Sequence, residues 1–260
     1  MKLIGGISMA NEEKFTGKSK LYDSYRPSYP TEFVDNLIHQ FSLLSTSRVA
    51  DIGSGTGILT KQLLDQGLMV FAVEPNDDMR QLAEEKLNDY SSFISINANA
   101  EYTRLDSNSI DLIIVAQAFH WFDVERFKKE CCRILKDSGV VVLVWNSRDF
   151  SHPLIQENEK LCATYCLHFK GFSGGIEETP DVYTRFFNDG NYEVNVFRND
   201  EIYDLDRYIG RNLSSSFAPK EGEATYEPFI QALTKQFHRY AQGGKLVFPL
   251  LTKCYIGKVK

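Results

Sequence analysis

The segment Asp51-Ile52-Gly53-Ser54-Gly55-Thr56-Gly57 sets three glycines at alternate positions behind a carboxylate. Glycine accepts left-handed backbone angles and allows close approach where a Cβ would intrude, so this spacing suits a tight turn that cradles a ligand. Ser54 and Thr56 lie inside the turn and join the candidate contacts. A second carboxylate, Glu74, stands 23 positions after Asp51 and is followed by Pro75 and Met79, which complete that group. A carboxylate at a strand end can accept hydrogen bonds from both hydroxyls of a ribose. His120, in Phe119-His120-Trp121-Phe122, carries an imidazole whose ordinary pKa lies near neutrality, which suits a general base beside a Trp121 pocket wall. A structural histidine packed between aromatics fits the same segment. Arg148, two positions after Asn146, offers a guanidinium fork that matches a substrate carboxylate, and an exposed surface charge is the bland alternative.

A parallel sheet is the element that gathers such residues. From Arg48 to Trp145, short β-branched runs alternate with helix-period segments, the pattern of a parallel sheet with helices on both faces. The strands read as 48–52, 69–74, 92–97, 110–115 and 139–145, with helices at about 57–66, 77–88 and 123–135. Val140 to Val144 are apolar without alternation, as a strand buried on both faces requires. Beyond it the periodicity predicts a helix near 152–169, a strand near 192–203, helices near 204–213 and 223–241, and a final strand near 246–258. Ligands of open parallel sheets bind at the carboxyl ends of the strands, near the switch in strand order. Asp51–Gly57 and Glu74 fall there.

Two adenosine-type ligands compete for such a turn. The glycines follow G-x-G-x-G, and Ile58 stands where the dinucleotide pattern G-x-G-x-x-G places its third glycine. Asp51 would repel a pyrophosphate, whereas S-adenosylmethionine (SAM) carries an ammonium and a sulfonium and no phosphate. SAM is therefore the expected cofactor. An NAD-linked oxidoreductase and a SAM-binding regulator without turnover are the rival readings.

With these motifs the sequence resembles the class I SAM-dependent methyltransferases, in particular the small-molecule branch of trans-aconitate methyltransferase-like proteins. The likeness lies in Tyr25-Arg26-Pro27-Ser28-Tyr29-Pro30, Val49 to Gly57, Ala100-Glu101, Gln117 to Phe122 and Trp145-Asn146-Ser147-Arg148. It implies an α/β Rossmann-like sheet of seven mostly parallel strands with helices on both faces, the last strand antiparallel, and a helical cap. The implied domains are an arm or lid at 1–30, a SAM-binding core at 31–203, a cap insertion at 204–241 and a final core strand within 242–260. Adenine contacts fall to Asn99, Ala100 and Glu101, where many relatives carry Asp at the Asn99 position. Ala116 and Gln117 approach the methionine part of the cofactor. Tyr22 and Arg26 of the arm cover SAM, while Tyr25 and Tyr29 face the acceptor. Methyl transfer is an in-line displacement that chiefly needs alignment and exclusion of water, so substrate-orienting residues matter more than a triad.

A net charge of -6 disfavours a phosphate-binding surface and hence a nucleic-acid acceptor. No Asn-Pro-Pro-Tyr-type segment follows the fourth strand; Gln117 to Trp121 stand there instead. A small-molecule acceptor, perhaps a carboxylate methylated on oxygen, is expected of a monomer or homodimer. No apolar stretch approaches the roughly 20 residues of a membrane span, and the five cysteines contain no Cys-x-x-Cys pair, so a soluble cytoplasmic protein is expected. His39, His152, His168 and His238 are scattered, which predicts no metal.

Overall fold

A computed structural model describes residues 27–172, 180–215 and 217–260. Its elements are α1 (Thr31–Gln40), β1 (Arg48–Ile52), α2 (Ile58–Asp65), β2 (Met69–Val73), α3 (Asp77–Leu87), β3 (Phe93–Ile96) and β4 (Ile110–Ala116). They continue with α4 (Val124–Ile134), β5 (Leu135–Arg148), α5 (Pro153–Tyr165), α6 (Pro180–Phe186), β6 (Glu193–Arg198) and β7 (Glu201–Tyr203). The chain ends with α7 (Leu205–Leu213), α8 (Tyr226–Tyr240), β8 (Leu246–Phe248) and β9 (Leu250–Gly257).

Seven strands form one sheet in the order β3-β2-β1-β4-β5-β9-β6. The pairs β1–β2, β1–β4, β2–β3 and β4–β5 are parallel, and the last strand, β9, is antiparallel. The order reverses at β1, between β2 and β4. The apolar runs of β4 and β5 follow from burial on both faces: Ile113, Val115, Val141 and Leu143 enter one core, and Leu112, Ile114, Val142 and Val144 the other. Each such side chain contributes about 1.5–3 kcal/mol by leaving water. Asn76 caps α3 by accepting from the Met79 N–H at 3.0 Å, and Asp123 caps α4 by accepting from Arg126 at 3.1 Å.

The chain divides into two compact units. Of the described residues, one holds 27–145 with Pro180–Phe197 and Thr252–Lys260; the other comprises 146–172, 198–215 and 217–251. The second therefore contains 146–172 as well as the described part of the 204–241 stretch. Its core joins α5, α7 and α8 through Leu154, Tyr208, Phe229, Leu233 and Phe237, with β7 and β8 as a small antiparallel sheet. Within it Asn158 Nδ2 donates to Tyr208 Oη at 3.1 Å and to Asn212 Oδ1 at 2.9 Å, while its buried Oδ1 has no partner among the described residues.

Three expectations need correction. The strand near 192–203 is two strands, because Asp200 turns its carboxylate to the Leu250 N–H at 3.3 Å and the pairing partner changes there. The final strand breaks at Pro249, which has no N–H to give a ladder. Helices α1 and α6 were not read from the sequence at all; α1 is held by burying Phe33, Val34 and Leu37. No helix among the described residues is long and apolar enough to cross a membrane.

Candidate functional site

The turn after β1 has the backbone that its glycines permit: φ is +72° at Gly53, +56° at Gly55 and +78° at Gly57. Gly53 and Ser54 donate to the Val73 carbonyl at 2.8 and 3.2 Å, locking the turn to β2. The three glycines have different reasons. A Cβ on Gly53 would lie 2.6 Å from Ala118 Cβ, and one on Gly57 would lie 2.8 Å from Leu87 Cδ1. Packing against Ala118 thus excludes a side chain at Gly53, whereas at Gly57 the left-handed backbone is what strains one. A Cβ on Gly55 would meet nothing within 4 Å, so this glycine leaves an open face on the turn.

Two carboxylates flank that face. Glu74 is buried, its Oε2 accepting from the Gly55 N–H and its Oε1 from the Asn76 N–H, each at 2.9 Å. The carboxylate therefore fixes the turn to the end of β2. Asp51 is 1% exposed; its Oδ2 accepts from Thr60 Oγ1 at 2.6 Å, while its Oδ1 has no partner among the described residues. Burial pushes its carboxyl up to about 6, against the Thr60 hydrogen bond and with help from the charge of Glu74. Such a group gains most from a cationic ligand. An orphaned acid oxygen and an open glycine face fit the ammonium and adenosine chemistry expected of SAM.

Other predicted cofactor contacts are in use locally. Asn99 Oδ1 accepts from the Tyr102 N–H at 2.9 Å and closes a turn, while Glu101 Oε1 accepts from the Asp123 N–H at 2.8 Å and ties the loop to the start of α4. Ala100, Thr56 and Met79 are buried, and Pro75 is half-buried beside Glu74. At the end of β4 Ala116 leads to Gln117, whose φ of +61° is left-handed although it is not glycine. Gln117 keeps its ladder bond to Val144 O at 2.9 Å, and the turn that follows brings Ala118 against Gly53. Strain of about 1–2 kcal/mol is held there, beside the glycine turn.

His120 and Trp121 are exposed on the short 3-10 turn Phe119–Trp121. The imidazole lies 4.5 Å from the Trp121 ring and 5.4 Å from that of Trp145, centroid to centroid. The Trp145 Nε1 is buried and has no hydrogen-bond partner among the described residues. Tyr29 is pinned by its backbone: its N–H donates to Gln62 Oε1 at 3.1 Å and its carbonyl accepts from Gln62 Nε2 at 2.7 Å. Its ring is buried against Phe33. Tyr22, Tyr25 and Arg26 lie outside the described residues.

Asn146 and Arg148 belong to the second unit. Asn146 Oδ1 accepts from Asn199 Nδ2 at 3.2 Å, and the Arg148 guanidinium stacks 3.8 Å from the Phe172 centroid. Thus the first unit gathers Asp51, Gly53–Gly57, Glu74 and the Ala116–Ala118 turn. Thr60 and Asn76, which orient the two carboxylates, carry no motif of their own and escaped the sequence reading.

Residues 50–143 match the protein-family profile described as a methyltransferase domain. The chain is 41% identical over 128 residues to an uncharacterized methyltransferase of Mycobacterium tuberculosis, which covers 49% of this chain and 50% of that protein. It is 32% identical over 126 residues to a probable S-adenosylmethionine-dependent methyltransferase of Saccharomyces cerevisiae, covering 47% and 43%. The chain spans about half the length of the curated relatives it matches. Among solved structures it is similar to a provisionally named type II methyltransferase from Anaeromyxobacter dehalogenans. There the TM-score is 0.66 at 19% identity, over 90% of this chain and 98% of the other. At that identity the likeness is one of fold.

Proposed function

With residues 50–143 as a methyltransferase domain for premise, we propose that this protein is a SAM-dependent methyltransferase whose acceptor is a small carboxylate methylated on oxygen. The observation that carries the cofactor reading is the pair of acids at the turn: Glu74 with both oxygens held by backbone donors, and Asp51 buried with one oxygen unmatched. When bound, SAM supplies an electrophilic methyl group on a sulfonium. Glu74 holds the ribose hydroxyls, Asp51 answers the positive charge, Asn99–Glu101 border the adenine, and Ala116 and Gln117 line the methionine side.

On the acceptor side His120 takes a proton where the acceptor carries one, and Trp121 walls the pocket. Arg148 and Asn146 orient the carboxylate, which needs no base when already ionised. Tyr22, Tyr25, Arg26 and Tyr29 form the covering arm in this reading. The Gln117–Phe122 and Trp145–Arg148 segments support placement in the trans-aconitate methyltransferase-like branch. The net charge of -6 supports a small acceptor over a nucleic acid.

Calorimetric titration with SAM, S-adenosylhomocysteine and NAD tests the cofactor. Binding of the two sulfur compounds and not NAD is expected; binding of NAD alone overturns the reading. Radiolabelled methyl transfer to a carboxylate panel then separates the enzyme from a SAM-binding regulator, which would bind without turnover.

A further inference from the structure

The turn Phe119–Trp121 presents two exposed side chains, His120 and Trp121, from a backbone that is pinned at both ends. Upstream, the Gln117 N–H donates to the Val144 carbonyl at 2.9 Å and Ala118 packs against Gly53. Inside the turn, the Trp121 N–H donates to the Ala118 carbonyl at 2.9 Å and the Phe122 N–H to that of Phe119 at 3.2 Å. Phe119 is buried, its ring centroid 4.9 Å from that of Phe186 and 6.2 Å from that of Phe127, while Phe122 lies 4.9 Å from Phe127. Packing thus holds the aromatic side of the turn.

The downstream pin is polar and comes from another loop. Glu101 Oε1 accepts from the Asp123 N–H at 2.8 Å, a bond that spans 22 positions of sequence and ends two residues after Trp121. A carboxylate on a backbone N–H makes a charge-assisted bond, roughly twice as strong as a neutral one. The loop that carries Glu101 is itself stapled. Asn99 Oδ1 accepts from the Tyr102 N–H at 2.9 Å, and the buried Glu130 of α4 accepts from the N–H and the hydroxyl of Thr103 at 2.8 and 2.6 Å. Glu101 therefore joins a fixed loop to the exit of the turn. Displacing a reacting group by about 1 Å costs on the order of a hundredfold in rate, so the placement of such a turn bears on chemistry.

We propose that Glu101 is a positioning residue: through the Asp123 N–H its carboxylate holds the Phe119–Trp121 turn and so sets where His120 and Trp121 stand. The side chain serves the turn, and only the loop backbone is left to border the cofactor. That His120 serves the methyl acceptor rests on the proposed function; the hold on the turn does not.

The bond can be broken from either end. Glu101→Ala removes the acceptor. Asp123→Pro removes the donor, and the backbone admits proline, since φ is -72° at Asp123 and the preceding Phe122 is extended at φ -90° and ψ 149°. Asp123→Ala keeps the N–H and loses only the α4 cap, so it is the control for Asp123→Pro. The chain has two tryptophans, Trp121 and Trp145, so every variant is made on Trp145→Phe, where fluorescence reports Trp121 alone. Well below melting, Glu101→Ala shifts Trp121 emission to longer wavelength and lowers its anisotropy. Asp123→Pro does so beyond Asp123→Ala, and the double variant goes no further than the larger single change, because one bond is lost in each. Glu101→Gln, which keeps an acceptor oxygen, stays with the background protein. S-adenosylhomocysteine binds Glu101→Ala within about threefold of the background by calorimetry. The proposal is overturned if Trp121 fluorescence in Glu101→Ala matches the background, if Asp123→Pro behaves as Asp123→Ala does, or if Glu101→Ala weakens S-adenosylhomocysteine on the order of tenfold, which would make the carboxylate a cofactor contact. Should Glu101→Ala not fold, the Asp123 pair decides. Failure of the background protein to bind S-adenosylhomocysteine strikes the methyltransferase reading alone, and the fluorescence still decides the turn.

Discussion

The glycine turn of the first unit and the Arg148 and Arg211 guanidiniums of the second treat charge in opposite ways. At the turn Glu74 is matched by two backbone N–H groups before any ligand arrives, and Asp51 is half matched by Thr60. In the second unit Arg148 and Arg211 have aromatic rings for neighbours and, among the described residues, no ion pair. A site whose charges are already held by backbone is rigid and serves one ligand shape. The matched acids of the first region suit the cofactor reading given above.

The strongest way to break this contrast is to remove the rigidity of the turn. Gly53→Val places a β-branched side chain at φ +72° and against Ala118, where a Cβ alone would come within 2.6 Å. Left-handed strain and overpacking together predict a loss of about 4 kcal/mol in stability, read as a lower denaturant midpoint. A variant as stable as wild type would show that the turn yields.

Asp51 sharpens the comparison, because it is the one group at the turn that resembles the arginines. Its carboxyl is raised from 3.8 to about 6 in the folded protein. For an acid raised on folding, the native state binds the extra proton between these values, so stability falls as pH rises from about 4 to about 6 and stays reduced above. Asp51→Asn should therefore gain close to 3 kcal/mol at pH 8 and little at pH 4, measured by denaturation without ligand. The same variant should bind SAM more weakly at pH 8. Equal stability of the two proteins at both pH values would remove the burial argument.

Glu74→Ala removes acceptors that serve both the turn and the ribose. SAM affinity should fall by about 1–3 kcal/mol by calorimetry, and unchanged affinity in a folded variant would take Glu74 out of the site. The smallest effect is expected at Gln117, where Gly relieves a left-handed φ of +61°. Gln117→Gly should raise thermal stability by about 1 kcal/mol, read as a higher melting temperature.

Much of this was legible in the sequence, for identifiable reasons. Gly53, Gly55, Gly57 and Glu74 could be read because each answers to local backbone geometry at a strand end, and the strand runs announced those ends. Asn99 and Glu101 were legible as positions but not as contacts, since whether an oxygen turns to a ligand or to the N–H of Tyr102 or Asp123 depends on the loop around it. Helix α1 was missed because its hold comes from Phe33 and Leu37 entering a distant core. Pro249 was visible, yet the register of the strands it separates was not.

By itself the sequence determined the alternation of strands and helices, the turn after β1 and the two acids that flank it, because periodicity and glycine geometry act over a few residues. Only the tertiary structure decided which charges go unmatched. Asp51 Oδ1 is orphaned because Thr60 on α2 reaches only the other oxygen, and Arg211 meets Arg148's field across 63 residues of sequence. Pairing of charges depends on distances between elements, and no local pattern in the chain encodes those distances.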